Sequence, residues 1–274
     1  MTYKNILVHV PAEPQPLRAL EAAAALAQRF DARLIGVGAE TYDIGLLASA
    51  AYVDAVLAQA LRDQVELNLK TAQARFLALA EPLGQDTSWL SEVDFPSWAV
   101  AGYGRCADIA VAARPGRLHT DLTVANPADL VMQAGLPVLL VPEASAPLEA
   151  KRIVIGWKDT REARRALSDA LPFVVAAEQV VVAGVAGAGE IGADRDGLEQ
   201  VAERLRRHGA LVKTEVARRG AASVAETLET VADEHGADLL VLGAYGHTRI
   251  REWVFGGVTE ELMAASSKYV LFSH

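Results

Sequence analysis

The residues best spaced for chemistry lie in Gly243-Ala-Tyr-Gly246 and, after nine intervening residues, in the pair Gly256-Gly257. They follow Asp238-Leu-Leu-Val-Leu, an apolar run of strand length, and precede Val258-Thr-Glu-Glu-Leu-Met-Ala-Ala, which reads as a helix with acidic residues in its first turn. A loop between a parallel strand and a helix start offers unpaired backbone N–H groups and the positive end of a helix dipole, which suits an anion such as phosphate. Glycines at both ends let a ligand approach the backbone closely, and Gly246 is expected to allow a second sharp turn. The candidate set is therefore Gly243, Gly246, Gly256 and Gly257, with Val258 and Thr259 at the helix start. His247 shares the loop and reads as an exposed histidine rather than a phosphate contact. The competing reading is that the glycines only shape a turn.

The spacing Gly-x2-Gly-x9-Gly, set between this strand and a terminal strand Tyr269-Val-Leu-Phe, resembles the nucleotide loop of the universal stress protein family. The resemblance implies an adenine nucleotide such as ATP or AMP, with Mg2+ accompanying it, and a role in stress response. Two departures stand out. ATP-binding members usually carry Ser or Thr after the third glycine, where this chain has Gly257, although Thr259 matches a position that contacts phosphate in such members. They also usually carry Asp where Lys158 aligns; here Asp159 is shifted by one, and Lys158 offers an ammonium group to a phosphate or another anion.

The elements that must position this loop come in two copies. Lys4-Asn-Ile-Leu-Val-His-Val is echoed by Lys151-Arg-Ile-Val-Ile-Gly-Trp, Asp108-Ile-Ala-Val by Asp238-Leu-Leu-Val, and Val138-Leu-Leu-Val by Val270-Leu-Phe-Ser, in one order. Pro142-Glu-Ala-Ser-Ala-Pro-Leu-Glu is a linker by composition, so the expected domains are 1–143 and 150–274. Alternating strand and helix patterns in each predict an α/β fold: two tandem doubly wound domains, each a five-stranded, mostly parallel sheet with helices on both faces. The family resemblance adds that the terminal strand pairs across to a partner domain, so that two halves of one chain can replace a dimer. The sequence leaves a further homodimer open.

In the first half the patterns predict strands at 6–10, 33–38, 88–93, 108–112 and 137–141, a long helical region from about Ile44 to Ala80, and a helix from Pro127 capped by Asn126. The ligand loop is expected to be degenerate there. Ala113-Arg-Pro-Gly116 keeps one glycine of the first pair, and no glycine pair follows at the right distance. Pro11-Ala-Glu-Pro-Gln-Pro also replaces the acidic residue that members use towards adenine. In the second half, Asp159 followed by Glu162 resembles a capping box, which places both at a helix start beside the cleft. Trp157, at the strand end, reads as core more than as a platform for a base.

Composition bounds the rest. A chain of 274 residues with 51% hydrophobic residues fills two cores, and its apolar runs fall short of the ~20 residues of a membrane span. The single cysteine, Cys106, has no partner for a disulfide or thiolate metal site and fits a reducing, cytoplasmic compartment. A formal net charge of −9 argues against non-specific nucleic-acid binding. The six histidines show no metal-ligand spacing, no GxxxxGK[ST] loop occurs, and Ser168 and Ser223 lack a nucleophile-elbow setting. Gly187-Ala-Gly-Glu-Ile-Gly192 is a literal GxGxxG, but it follows the second strand of its domain, where a dinucleotide fingerprint does not belong. The expected function is nucleotide binding by the C-terminal domain. The alternatives are a ligand-free interaction scaffold and a slow nucleotide hydrolase using Asp159 as base.

Overall fold

The computed structural model describes residues 2–13, 17–42, 55–114, 123–144, 146–187, 195–246 and 257–274. Two compact units divide the chain between Gly135 and Leu136.

In the unit Tyr3–Gly135, strands β1 (Asn5–His9), β2 (Arg33–Ala39), β3 (Thr87–Glu92) and β4 (Ile109–Ala113) are parallel in the order β3-β2-β1-β4. Ile6, Leu7 and Val8 are all buried, as expected of a parallel strand covered on both faces. Helices α1 (Arg18–Phe30), α2 (Ala55–Ala80), α3 (Pro96–Tyr103) and α4 (Pro127–Gln133) connect them. α1 turns Leu20, Ala23, Ala24 and Ala27 inward at helical spacing and stops at Asp31, which is left-handed at φ 50°. The helix expected from about Ile44 is described from Ala55 onward, since 43–54 lie outside the described residues.

In the unit Leu136–His274, β6 (Arg152–Gly156), β7 (Gln179–Ala186), β8 (Val212–Arg218), β9 (Leu239–Gly243) and β10 (Tyr269–Ser273) are parallel in the order β8-β7-β6-β9-β10. The intervening helices are α5 (Arg161–Asp169), α6 (Leu171–Val174), α7 (Arg195–Arg207), α8 (Val224–His235) and α9 (Val258–Ala265). Right-handed crossovers put α5 and α7 on one face and α8 and α9 on the other. The strand order reverses between β6 and β9, and the carboxyl ends of those strands form the crevice where open α/β sheets hold ligands.

β5 (Val138–Val141), the last strand of the first half in sequence, belongs to this second unit. It runs antiparallel to β10, with Leu140 opposite Val270 and Val138 opposite Phe272. The halves in chain order and the units in space therefore differ by this strand.

The internal repeat has a physical counterpart. One carboxylate oxygen of Asp108 accepts from the amides of Lys4 and Asn5, at 2.7 and 2.8 Å, and one of Asp238 accepts from those of Glu149 and Ala150, at 2.8 and 3.0 Å. In both units the aspartate just ahead of the fourth strand thus fastens the chain entering the first.

Candidate functional site

β6 and β9 end side by side, with Gly156 opposite Leu242. From β6 the chain passes through half-buried Trp157 and exposed Lys158 and Asp159 into α5. Asp159 is not the N-cap of that helix. The Thr160 amide donates to the Lys158 carbonyl at 2.7 Å, so the chain runs one residue further before turning helical, and the Thr160 hydroxyl caps the Ala163 amide at 3.2 Å. The Asp159 carboxylate instead accepts from Arg164 at 2.6 and 3.1 Å. The role expected of Asp159 thus falls one residue later, and its carboxylate is already engaged.

Glu162 is the residue whose importance the sequence hid. Its side chain is buried at 1% exposure in the first turn of α5, paired at 2.5 Å with Arg161, whose own side chain is 56% exposed. Burial raises its pKa, but hydrogen bonds from Arg161, its own amide and the Thr160 hydroxyl more than offset that, so the carboxyl titrates below the ordinary glutamate range. A buried anion therefore lies against the glycine loop. Its only advance signal was an acidic residue in a first turn, which usually needs no ligand.

Gly243 closes β9, and the reason for glycine there is α5. A Cβ at 243 would stand 2.4 Å from the Ala163 nitrogen and 2.5 Å from the Glu162 carbonyl carbon, both backbone atoms. Gly246 does not make the second sharp turn expected of it. The left-handed residue is Tyr245, at φ 51°, and among the described residues a Cβ on Gly246 would meet the Glu162 carboxylate, at 3.5 Å. The following Gly256, with His247, lies outside the described residues. Gly257 is the N-cap of α9 at φ 146° and ψ −176°, a conformation that only glycine adopts readily, which accounts for glycine at this position. No side chain of that residue caps α9, whose first turn carries Val258, Thr259, Glu260 and Glu261, with Thr259 half-buried. In chain order Lys158 follows β6, Gly243 closes β9 with Gly246 three residues on, and Gly257, Val258 and Thr259 begin α9.

The corresponding turn of the first unit, ahead of α4, is tied down by protein groups. The Ala125 amide points at Nδ1 of His9 at 3.5 Å, the Asn126 amide donates to the buried Ser97 hydroxyl at 2.9 Å, and the Asn126 side chain caps the Ala128 amide at 3.0 Å. Pro127 has no N–H to offer. Near β1, Arg75 of α2 donates to the carbonyls of Pro11 and Glu13, so the proline-rich loop is held by a guanidinium. Ser223, set aside as a nucleophile, forms a complete capping box with Glu226 at the start of α8. Among the described residues no group of His, Cys, Asp and Glu is arranged to hold a metal ion, and no helix is long and apolar enough to cross a membrane.

The universal stress protein family profile matches residues 149–274. A universal stress protein from Archaeoglobus fulgidus DSM 4304 is similar in structure over 98% of this chain and 95% of its own, with a TM-score of 0.71 at 14% identity. A putative universal stress protein from Pseudomonas aeruginosa UCBPP-PA14 is similar over 99% and 93%, with a TM-score of 0.57 at 16% identity. A functionally unknown protein from Pseudomonas aeruginosa PAO1 is similar over 99% and 92%, at 0.56 and 17%. At these identities the likeness is one of fold. No curated protein matches the chain. Residues 149–274 thus carry a universal stress protein domain.

Proposed function

We propose that the C-terminal unit binds an adenine nucleotide, ATP or AMP, in a stress-response role. Phosphate lies at the start of α9, against the amides of Gly257, Val258 and Thr259, with the Thr259 hydroxyl as a further contact. Gly243, Gly246 and Gly256 form the rest of the loop, and the Lys158 ammonium balances charge, with Mg2+ accompanying the phosphates. The observation that carries this reading is Gly257. It starts a helix with no side-chain cap, whereas the first unit engages the amides of the matching turn through His9, Ser97 and Asn126. An uncapped helix start suits an anion. One ligand per chain is expected.

A ligand-free scaffold is favoured by one observation: Gly243 is already explained by the backbone of α5 and Gly257 by its φ, so neither glycine needs a ligand. The slow-hydrolase alternative has less behind it, because Arg164 already holds its candidate base, Asp159. The deciding experiment is to denature freshly purified protein, identify released small molecules by mass spectrometry, and titrate emptied protein with ATP and AMP in a calorimeter. Recovery or binding of a nucleotide near one per chain is expected. An empty protein that takes up neither would leave the scaffold.

A further inference from the structure

We propose that His9 is an acid-released latch on the turn that starts α4 in the first unit. His9 ends β1, is 8% exposed, and lies between two backbone groups from distant parts of the unit. Nε2 is 3.3 Å from the carbonyl of Ala39, which can only accept, and Nδ1 is 3.5 Å from the amide of Ala125, which can only donate. The pair selects the neutral tautomer with the proton on Nε2. A second proton would go to Nδ1, setting N–H against N–H. The Ala125 contact is long, so its loss is small. The larger effect is the confrontation of an imidazolium with an amide in a buried site.

Burial accordingly lowers the pKa of His9 from 6.5 to about 4, against a smaller opposing effect of the Ala39 carbonyl. The described charged groups on the surrounding elements are Glu13 in the following loop, Arg18 and Glu21 in the first turn of α1, Glu40 after β2, Arg75 of α2, Asp94 ahead of α3, Arg114 after β4 and Asp129 in the first turn of α4. None is a cause of the His9 shift. α3 supplies Ser97, a neutral group, to the next amide of the same turn. Glu40 opposes the latch: burial and Glu13 raise its pKa, so acid relieves strain there while creating it at His9.

When the imidazole takes its proton, the turn must leave Nδ1, freeing the residues just ahead of α4. That helix leads within a few residues into β5, so the latch sits immediately upstream of the strand that pairs with β10.

The test is hydrogen exchange by NMR on the full chain, following protection factors of Ala125 and Asn126 against Leu7 and Val8 from pH 7 to pH 5. A group held at about 4 in the closed form and 6.5 in the open form predicts a fall of up to about 30-fold at pH 5 for the turn amides. The fall should vanish in His9→Asn, whose amide oxygen replaces Nδ1 without titrating. Flat protection in the parent protein, or an equal fall in the variant, overturns the proposal. Should His9→Asn fail to fold, ring 15N shifts of His9 in the parent protein decide. The Nε2-protonated tautomer at pH 6 is expected, and the other tautomer or an imidazolium refutes the latch.

Discussion

Ahead of α4 the first unit spends its own groups on the helix start: His9 faces one amide, Ser97 receives the next, Asn126 caps a third, and Pro127 removes a fourth. Ahead of α9 the second unit places Gly257, with no side chain to cap anything. A similar contrast holds one turn away. In the first unit α2 reaches over the loop after β1 and holds its carbonyls with Arg75, while after β6 Lys158 and Asp159 stand exposed. Two copies of one topology have thus diverged in who satisfies the backbone. A turn whose amides are already matched gains stability and has nothing left for an anion, and an unmatched turn is weaker and receptive.

The largest effect expected from disturbing this arrangement is at Gly243. Gly243→Val drives a side chain into the backbone of α5 and should cost about 3 kcal/mol, the upper range for overpacking, in urea unfolding. Gly246→Ala, facing a carboxylate at 3.5 Å, should stay within about 0.5 kcal/mol. Equal losses would mean that the two loop glycines do not differ as described.

Next comes acid. Because folding lowers the His9 pKa from 6.5 to about 4, the stability it contributes is full above 6.5 and is lost as pH falls from there towards 4. Between pH 7 and pH 5 this amounts to about 2 kcal/mol, read as a shift of the urea midpoint that His9→Asn should abolish. Glu40→Gln removes the opposing group, and the parent protein's acid loss should then steepen.

Smaller still, Asn126→Ala should cost about 1 kcal/mol by removing the cap of α4. No such loss is available at Gly257, where a non-glycine residue would be strained by the φ of 146°. Thr259→Val sharpens the contrast from the binding side. It should leave unfolding unchanged and weaken ATP about threefold to fivefold in calorimetry, as loss of one hydroxyl contact does. An unchanged affinity would remove Thr259 from the site.

Much of the architecture was legible in short stretches of chain. Asn126-Pro127 marks a helix start by interactions closed within a turn, and does so in the structure. The apolar runs at Ile6–Val8 and Leu239–Leu242 mark buried parallel strands. Of the candidate site, Gly243 was named without its reason, which is the backbone of α5. Asp159 gave way to Thr160 as cap because one turn hydrogen bond moved the helix start, and Tyr245 rather than Gly246 took the left-handed turn. Glu162, read as the capping-box partner of Asp159, is instead a buried side chain paired with Arg161.

By itself the sequence determined the alternation of strands and helices, the doubling of that pattern and the local caps, because those follow from side-chain period and from bonds between near neighbours. Only tertiary structure decided that β5 joins β10, that Gly243 serves the seat of α5, and that His9 and Ser97 occupy amides 116 and 29 positions away. The physical reason is that a buried backbone group must find a partner within about 3 Å in space, and nothing in its own stretch of chain says which distant residue folding will bring there.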